Sequence, residues 1–359
     1  MRFRAFLTAA FDGYAPSSLG ALCCVAALVC SFSCKKKGGT PDWELTKDQL
    51  PKTAPAETHR HSAKASPSAA IKSPETHVDS AASTSSEGLR FITYNVENWL
   101  TMDRYIDGKN LKSVSKPDGE KRAVVAILAR HAPDVIGLCE IGTASDLAEI
   151  QARLKAAGLD LPHSHYTGGS DPTRHLGLLS RFPLTATANP AESQYQLAGQ
   201  TFAINRGILD ATLQARGKTY RFIGAHLKSK RDSEQGDQET IRLNEARLLR
   251  RHLNTILTAN ADARLIVYGD FNDTRATPAI KTITGKYNDP SYLTAIPLKD
   301  SHLEAWTYHW ALHDIYSGID FIMVSQGIRR DVDFSAAKII DDAEWEQASD
   351  HRPGMAVFK

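Results

Sequence analysis

Apolar and polar positions repeat along this chain with two different periods, and the switch between them marks its elements. "LRFITYNVEN", from Leu89, alternates β-branched and aromatic residues with polar ones and reads as a strand. "GEKRAVVAILARHA" instead places Val124, Ile127 and Leu128 at helical spacing, and Pro133 marks the exit. "DVIGLCEI" is then a buried strand, and "HLGLLSRFPL", "INRGILDATLQ", "TYRFIGAHLKS" and "RLIVYGDFN" read as further strands. Between the last two, "DQETIRLNEARLLRRHLNTILTA" is the clearest helix, with Ile241, Leu248, Leu249, Leu253, Ile256 and Leu257 on its apolar face. "SGIDFIMVS" and "PGMAVF" complete the strands, and no internal repeat is visible. Hairpin-like pairs mixed with long helices predict an α+β fold of two packed sheets with helices outside.

The first 87 residues have a different texture. Residues 1–34 begin with Arg2 and Arg4, continue through the apolar "LGALCCVAALVCSFSC", and end at "KKKGG". A positive start, a short apolar region and a small-residue boundary describe an export signal. The apolar run is roughly 14 residues, short of the about 20 that span a membrane. "SFSC" resembles a loose bacterial lipoprotein signal with Cys34 as the lipidated residue, although Ser31 stands where Leu is usual. An uncleaved membrane anchor is the alternative. Residues 35–87 are rich in Ser, Ala, Pro, Thr, Lys and Glu and bury too little surface to repay ordering, so a disordered linker is expected there, with His59, His61 and His77 solvated. The globular domain is placed at 88–359.

Charge narrows the function classes only a little. The whole chain carries a formal charge of +2, and basic and acidic residues balance from Gly88 onward. A nucleic-acid footprint is not announced by such a balance, although a local basic rim is compatible with it. Cys139 is the one cysteine outside the first 34 residues, so no internal disulfide can hold the domain, and its place on a buried strand assigns it to packing.

The strands share a more telling feature: their ends are polar. In order they deliver Asn95, Glu140, His226, Asp270 with Asn272, Asp320, and Asp350 with His351. A polar residue at one strand end is ordinarily a solvated edge or a cap. Several rigid elements converging Asn, Asp, Glu and His is how a site is built. Hard oxygen donors without a Cys or multi-His cluster favour Mg²⁺, with Mn²⁺ or Ca²⁺ as alternatives. Gly269 is expected to let the backbone turn tightly beside Asp270, and Asp273 to cap the following turn. Trp306, Tyr308, Trp310 and Tyr316 are expected to pack the core, with substrate stacking as the alternative, and the mixed-sign "KSKRDSEQGDQE" is expected to be a solvated loop, with substrate contact by Lys228, Lys230 and Arg231 as the alternative.

The ordered set "TYNVEN … CE … AHLKS … GDFND … IDF … SDH" resembles the endonuclease/exonuclease/phosphatase superfamily, of which deoxyribonuclease I is a member, over Leu89 to Lys359. The resemblance implies a four-layered α/β/β/α sandwich of two packed mixed sheets with outer helices. It implies that Glu140 and Asn95 hold a divalent metal with Asp350 as the second carboxylate nearby. It also implies that Asp270 and Asn272 orient the attacking water and contact the phosphate, that His351 sits beside the scissile phosphate paired with Asp320, and that His226 and Arg206 face phosphate oxygens. Whether His351 acts protonated or as the base stays open, with Asp270 the first choice for base.

The expected function is metal-dependent hydrolysis of a phosphoester by in-line water attack. An exported, cell-envelope-associated nuclease is the leading form, and the alternative is a phosphodiesterase of phospholipid head groups or another phosphoesterase. A non-catalytic surface binder on the same fold is the competing class. The expected partners are a phosphoester substrate, nucleic acid first, and a membrane through an N-terminal lipid or anchor. A monomer is the expected state.

Overall fold

The computed structural model describes residues 88–106, 108–187, 194–232 and 236–359. The expected signal at 1–34, including Cys34, and the expected linker at 35–87 lie outside the described residues. Among those described, no helix is long and apolar enough to cross a membrane.

Strands that are apolar on both faces must be covered on both faces, and this requirement sets the architecture. On Leu89–Trp99, Leu89 and Phe91 enter one apolar cluster while Ile92, Tyr94 and Val96 enter another. Leu265–Asp270 behaves likewise, with Ile266 and Tyr268 on one side and Leu265 and Val267 on the other. The shared cluster lies between two six-stranded sheets. The second cluster lies under helices Asp118–His131 and Ala144–Ala156, and the third under helix Gln238–Ala259. The result is the expected four layers, helix, sheet, sheet, helix.

Each sheet contains one parallel pair bridged by a helix. Leu89–Trp99 runs parallel to Val135–Ile141 across helix Asp118–His131. Lys218–Ala225 runs parallel to Leu265–Asp270 across helix Gln238–Ala259. The remaining neighbours are antiparallel, including Gly354–Phe358 beside the first strand and Asp320–Val324 beside Leu265–Asp270. "HLGLLSRFPL" is not the single strand its apolar run suggests. It breaks at Arg181–Pro183, and His175–Ser180 joins one sheet while Leu184–Ala186 joins the other. Proline cannot donate a ladder hydrogen bond, which explains the break.

Tyr268 is the keystone between the sheets. Its ring meets Phe91 at 4.9 Å edge-on, and the side chain lies so close to Gly137 and Gly224 that a Cβ on either would meet its atoms at 2.0 and 2.7 Å. The next residue, Gly269, has φ 132°, and a Cβ there would lie 1.9 Å from the carbonyl oxygen of Ala225 on the adjacent strand. Glycine is therefore required by backbone contact as well as by conformation. Replacing Gly269 by Ala is expected to cost on the order of 3 kcal/mol, read as a lower urea midpoint with unchanged m-value. A variant as stable as the wild type would contradict this contact.

A buried ion pair holds the segment that carries His351. Arg352 Nη1 donates to Asp300 Oδ2 at 2.7 Å, and its guanidinium lies 3.2 Å from the centre of the Trp306 ring. Asp300 Oδ1 also accepts from the backbone N–H groups of His302 and Glu304. Burial works against the ionised carboxylate, but the bonds from Arg352, Glu304 and His302 outweigh it and hold Asp300 below its ordinary pKa. The stabilisation is thus complete above the unfolded carboxylate pKa and is lost as pH falls through the lower folded value. Asp300→Asn, which strands a buried guanidinium, is expected to cost about 3–5 kcal/mol at pH 7 in urea denaturation. The gap from wild type should shrink at pH 3; a gap independent of pH would show that the charge is not what matters.

Candidate active site

The face of each strand that points between the sheets is apolar for most of its length and turns polar at one end. Phe91 is followed on that face by Thr93 and Asn95. Tyr220 and Phe222 are followed by Gly224 and His226, Ile266 and Tyr268 by Asp270, and Val324 and Ile322, read backward, by Asp320. Period-two alternation thus aims Asn95, His226, Asp270 and Asp320 into one end of the inter-sheet layer. All four are at most 7% exposed.

Glu140 reaches the same place by breaking that alternation. Ile136 and Leu138 face the outer helices, so an undistorted strand would send Glu140 there as well. Instead Glu140 has φ 65°, and the register slips beside it against both neighbouring strands, between Cys139 and Ile141 on one side and between Asn95 and Trp99 on the other. This is a β-bulge that re-aims a side chain. The facing bulge contains Glu97 and Asn98 at φ 48° and 57°, and the Asn98 N–H donates to Glu140 Oε2 at 2.9 Å.

The groups converge on Asp270. Its Oδ2 accepts from Asn95 Nδ2 at 3.1 Å and lies 3.5 Å from His226 Nε2 and 3.7 Å from His351 Nε2. Its Oδ1 accepts from the Asn272 N–H at 2.8 Å. His226 Nε2 is also 4.0 Å from Glu140 Oε1, and His351 Nε2 is 4.0 Å from Asp350 Oδ1. Asp320 Oδ2 meets His351 Nδ1 at 2.8 Å and accepts from Thr307 Oγ at 2.6 Å. Ser349 Oγ donates to the Asn95 carbonyl and accepts from the His351 N–H, fastening the last loop to the first strand.

Electrostatics divides these groups. Burial opposes a charge on Glu140, but Arg174, then His226, His351 and Arg206, outweigh it and hold the carboxyl down at about 2. Asp270 is shifted the other way, well above the carboxylate range, by burial and by Asp320 beside it, with His351 opposing. Burial also pulls His351 toward its neutral form, yet Asp320 and Asp270 on either side raise it well above an ordinary histidine. His226 falls to about 3 through burial and the nearby Arg206, so it is neutral at pH 7.

The structure thus gathers Asn95, Glu140, His226, Asp270, Asp320, Asp350 and His351 at one end of the sandwich. Asn272 is there too, but its amide Nδ2 donates to the Leu227 carbonyl at 3.0 Å, buttressing the loop instead of pointing outward. Arg206 pairs through Nε with Asp171 at 3.1 Å, and its charge is felt at Glu140 and His226. Asp273 accepts from the Thr274 N–H, as a turn cap does, and also makes a buried pair with Arg242 at 3.0 Å. Lys228 is nearly buried and donates Nζ to the Arg231 carbonyl, and Lys230 Nζ lies 3.6 Å from Asp273, so both are occupied within the domain. Trp306 carries Arg352, and Tyr308 packs its ring 4.8 Å from His351. Cys139 is core, its thiol pushed up by burial. Sequence reasoning did not single out Arg174, which lies 4.0 Å from Glu140 and donates to Asn98 Oδ1, nor Thr307, nor Glu97, which accepts from the Asp350 N–H at 3.0 Å.

Two sets of donors bear on a metal. Asp270, Asp320 and His351 each place one ligand atom within 4.8 Å of the others. Their atoms already satisfy one another, and a cation there would displace the bond between His351 and Asp320. Glu140 is different: it is ionised, strained toward the site, and its Oε1 lies 4.0 Å from the neutral His226. With the amide oxygen of Asn95 and the half-exposed carboxylate of Asp350 it is a hard oxygen set, which suits Mg²⁺.

Comparison with known proteins bears on the family and the fold. The profile of the Endonuclease/Exonuclease/phosphatase family matches residues 92–351. A sequence search of curated proteins finds no match. Among solved structures, the endonuclease/exonuclease/phosphatase from Bacteroides vulgatus is similar at TM-score 0.53 and 18% identity, covering 76% of this chain and 98% of that one. Sphingomyelinase C from Streptomyces griseocarneus is similar at TM-score 0.52 and 15% identity, with 76% and 99% covered. A beta toxin mutant from Staphylococcus aureus with bound magnesium ions is similar at TM-score 0.51 and 14% identity, with 76% and 100% covered. At such identities the structural likeness establishes the fold, while the profile spans most of the chain and every strand that feeds the site: the chain belongs to the endonuclease/exonuclease/phosphatase family.

Proposed function

We propose that this protein is a divalent-metal-dependent phosphodiesterase. The observation that carries the reading is the buried Asp270 carboxylate, ringed by Asn95, His226 and His351 and facing the ionised Glu140 across His226. A pure binding protein has no need to keep raised and lowered titrating groups within a few ångströms of one another. Glu140, with Asn95 and Asp350, would hold Mg²⁺, which when bound neutralises charge on the phosphate and its leaving oxygen.

The remaining work falls to side chains of this domain. Asp270, its pKa raised, is suited to accept the proton of an attacking water. His351 has a carboxylate on each side of its ring, which favours the imidazolium and a donated Nε2–H toward charge developing on the phosphate. Asp320 fixes the ring through Nδ1, and Thr307 fixes Asp320. Neutral His226 offers one nitrogen to a non-bridging oxygen, and Arg174 and Arg206 add positive potential on the Glu140 side. We favour a nucleic-acid backbone as substrate because these arginines bring positive potential to the phosphate side of an otherwise neutral domain. A phospholipid head group is the second reading, favoured by the overall charge balance and by the likeness to sphingomyelinase C.

Purified protein with Mg²⁺ should hydrolyse at least one of plasmid DNA, single-stranded DNA, RNA or sphingomyelin, and EDTA should abolish the activity until Mg²⁺ is restored. Activity indifferent to chelation would overturn the metal assignment, and cleavage of sphingomyelin alone would select the second substrate. Glu140→Gln and Asp270→Asn should each lower kcat by about 100- to 10,000-fold with the fold intact by circular dichroism. Full activity in Asp270→Asn would remove this carboxylate from the chemistry.

A further inference from the structure

Helix Gln238–Ala259 carries a carboxylate that solvent does not reach at all. Glu245 is 0% exposed and lies on the sheet side of the helix. A buried charge must be compensated. Here backbone donors supply the compensation together with the charges of Arg206 and Lys228: Oε2 accepts from the Lys228 N–H at 2.6 Å, and Oε1 from the Asn205 N–H at 3.0 Å. Lys228 is two residues beyond His226, and Asn205 directly precedes Arg206. One carboxylate therefore ties together two loops that are distant in sequence and that carry His226 and Arg206. Arg242, one turn earlier on the same helix, grips the other end of the same residue by donating to the Lys228 carbonyl at 3.2 Å, and it pairs with Asp273 in the loop after Asp270.

The clamp matters because the groups it places are held through only part of their side chains. His226 Nδ1 and Arg206 Nη1 are buried with no hydrogen-bond partner among the described residues. The position of His226 is set by the backbone that bears it, and that of Arg206 by the same means together with its pairing to Asp171. We infer that Glu245 is a positioning residue, which fixes His226 and Arg206 relative to each other and to Glu140 on the opposite sheet. This rests on the hydrolase reading for its effect on rate, but the clamp itself is a structural claim that stands or falls separately.

The test uses the full chain. Glu245→Gln keeps the shape but replaces one acceptor by an NH₂ group facing a backbone donor. It should lower kcat about 10- to 100-fold on bis(p-nitrophenyl) phosphate, with the Mg²⁺ concentration for half-maximal activity moved less than about twofold, because the proposed metal ligands lie elsewhere. The loss should vanish when His226 and Arg206 have both been replaced by Ala, since nothing is then left to position. A merely structural role would instead give losses that multiply. Amide exchange at Lys228 and Asn205 should quicken about tenfold or more in Glu245→Gln, whether or not any ester is turned over. A wild type without turnover, but with those amides protected and released by the variant, would sink the hydrolase reading and leave the clamp. Unchanged exchange, or a multiplicative loss of rate, would overturn the clamp. Should Glu245→Gln fail to fold, the wild-type protein decides: both amides should exchange as slowly as those in the core of the helix, and free exchange would refute the inference.

Discussion

Two carboxylates stand directly opposite each other on neighbouring antiparallel strands, both buried and both on the same face: Asp270 and Asp320. Like charges in that position repel, and burial makes the repulsion worse. The fold answers with one imidazole inserted between them, His351, whose two nitrogens face one carboxylate each. Everything around this trio follows from keeping it in place. Ser349 ties the His351 loop to the first strand, the Arg352 and Asp300 pair fastens the other side of that loop, and Thr307 saturates Asp320. The same arrangement that relieves the repulsion leaves a high-pKa acid and a high-pKa base as neighbours, the state that proton transfer near neutral pH requires.

Stabilising contacts and functional strain are separated in space. The apolar layer between the sheets is ordinary for most of its depth, with Phe91, Phe222, Tyr268 and Ile322 closely packed. Glu97, Asn98, Glu140 and Asn272 take positive φ at the polar end, whereas Ser113, Ala132 and Leu303 take it away from the site. Such conformations cost free energy at non-glycine residues and persist only where the surroundings hold them. Lys116 and Arg104 do so at the first bulge, donating to the carbonyls of Glu97 and Asn98.

Much of this was legible in the sequence, for a definite reason. Asn95, His226, Asp270 and Asp320 continue strict alternations, so period-two reasoning that finds the strand also finds the direction of the side chain. The long helices were legible because a sheet-facing stripe repeats several times in Asp118–His131 and Gln238–Ala259. Glu140 was found by motif, and alternation alone would have pointed it at the outer helices; a bulge leaves no signature in hydropathy. Arg174, Thr307 and Glu245 were invisible to local pattern because each acts across a long gap in sequence, through a backbone amide, a turn or a single carboxylate oxygen. The hairpins Gln194–Leu197 with Gln200–Ala203, and Tyr308–Trp310 with Ile315–Ser317, were missed because short, half-exposed strands carry little alternation to detect. The split of His175–Ala186 between sheets was hidden by an apolar run that satisfies either sheet equally.

The strand Gly354–Phe358 lies against the outer edge of Leu89–Trp99, joining residues from opposite ends of the domain. A ribosome delivers them in order, so Asn95, Glu140 and Asp270 exist in the growing polypeptide long before the imidazole that separates the two acids. Until that final ribbon docks, the first strand keeps an open hydrogen-bonding edge and the acids keep their repulsion. Docking of that strand therefore covers the edge of one sheet while the loop before it brings His351 between the two acids of the other.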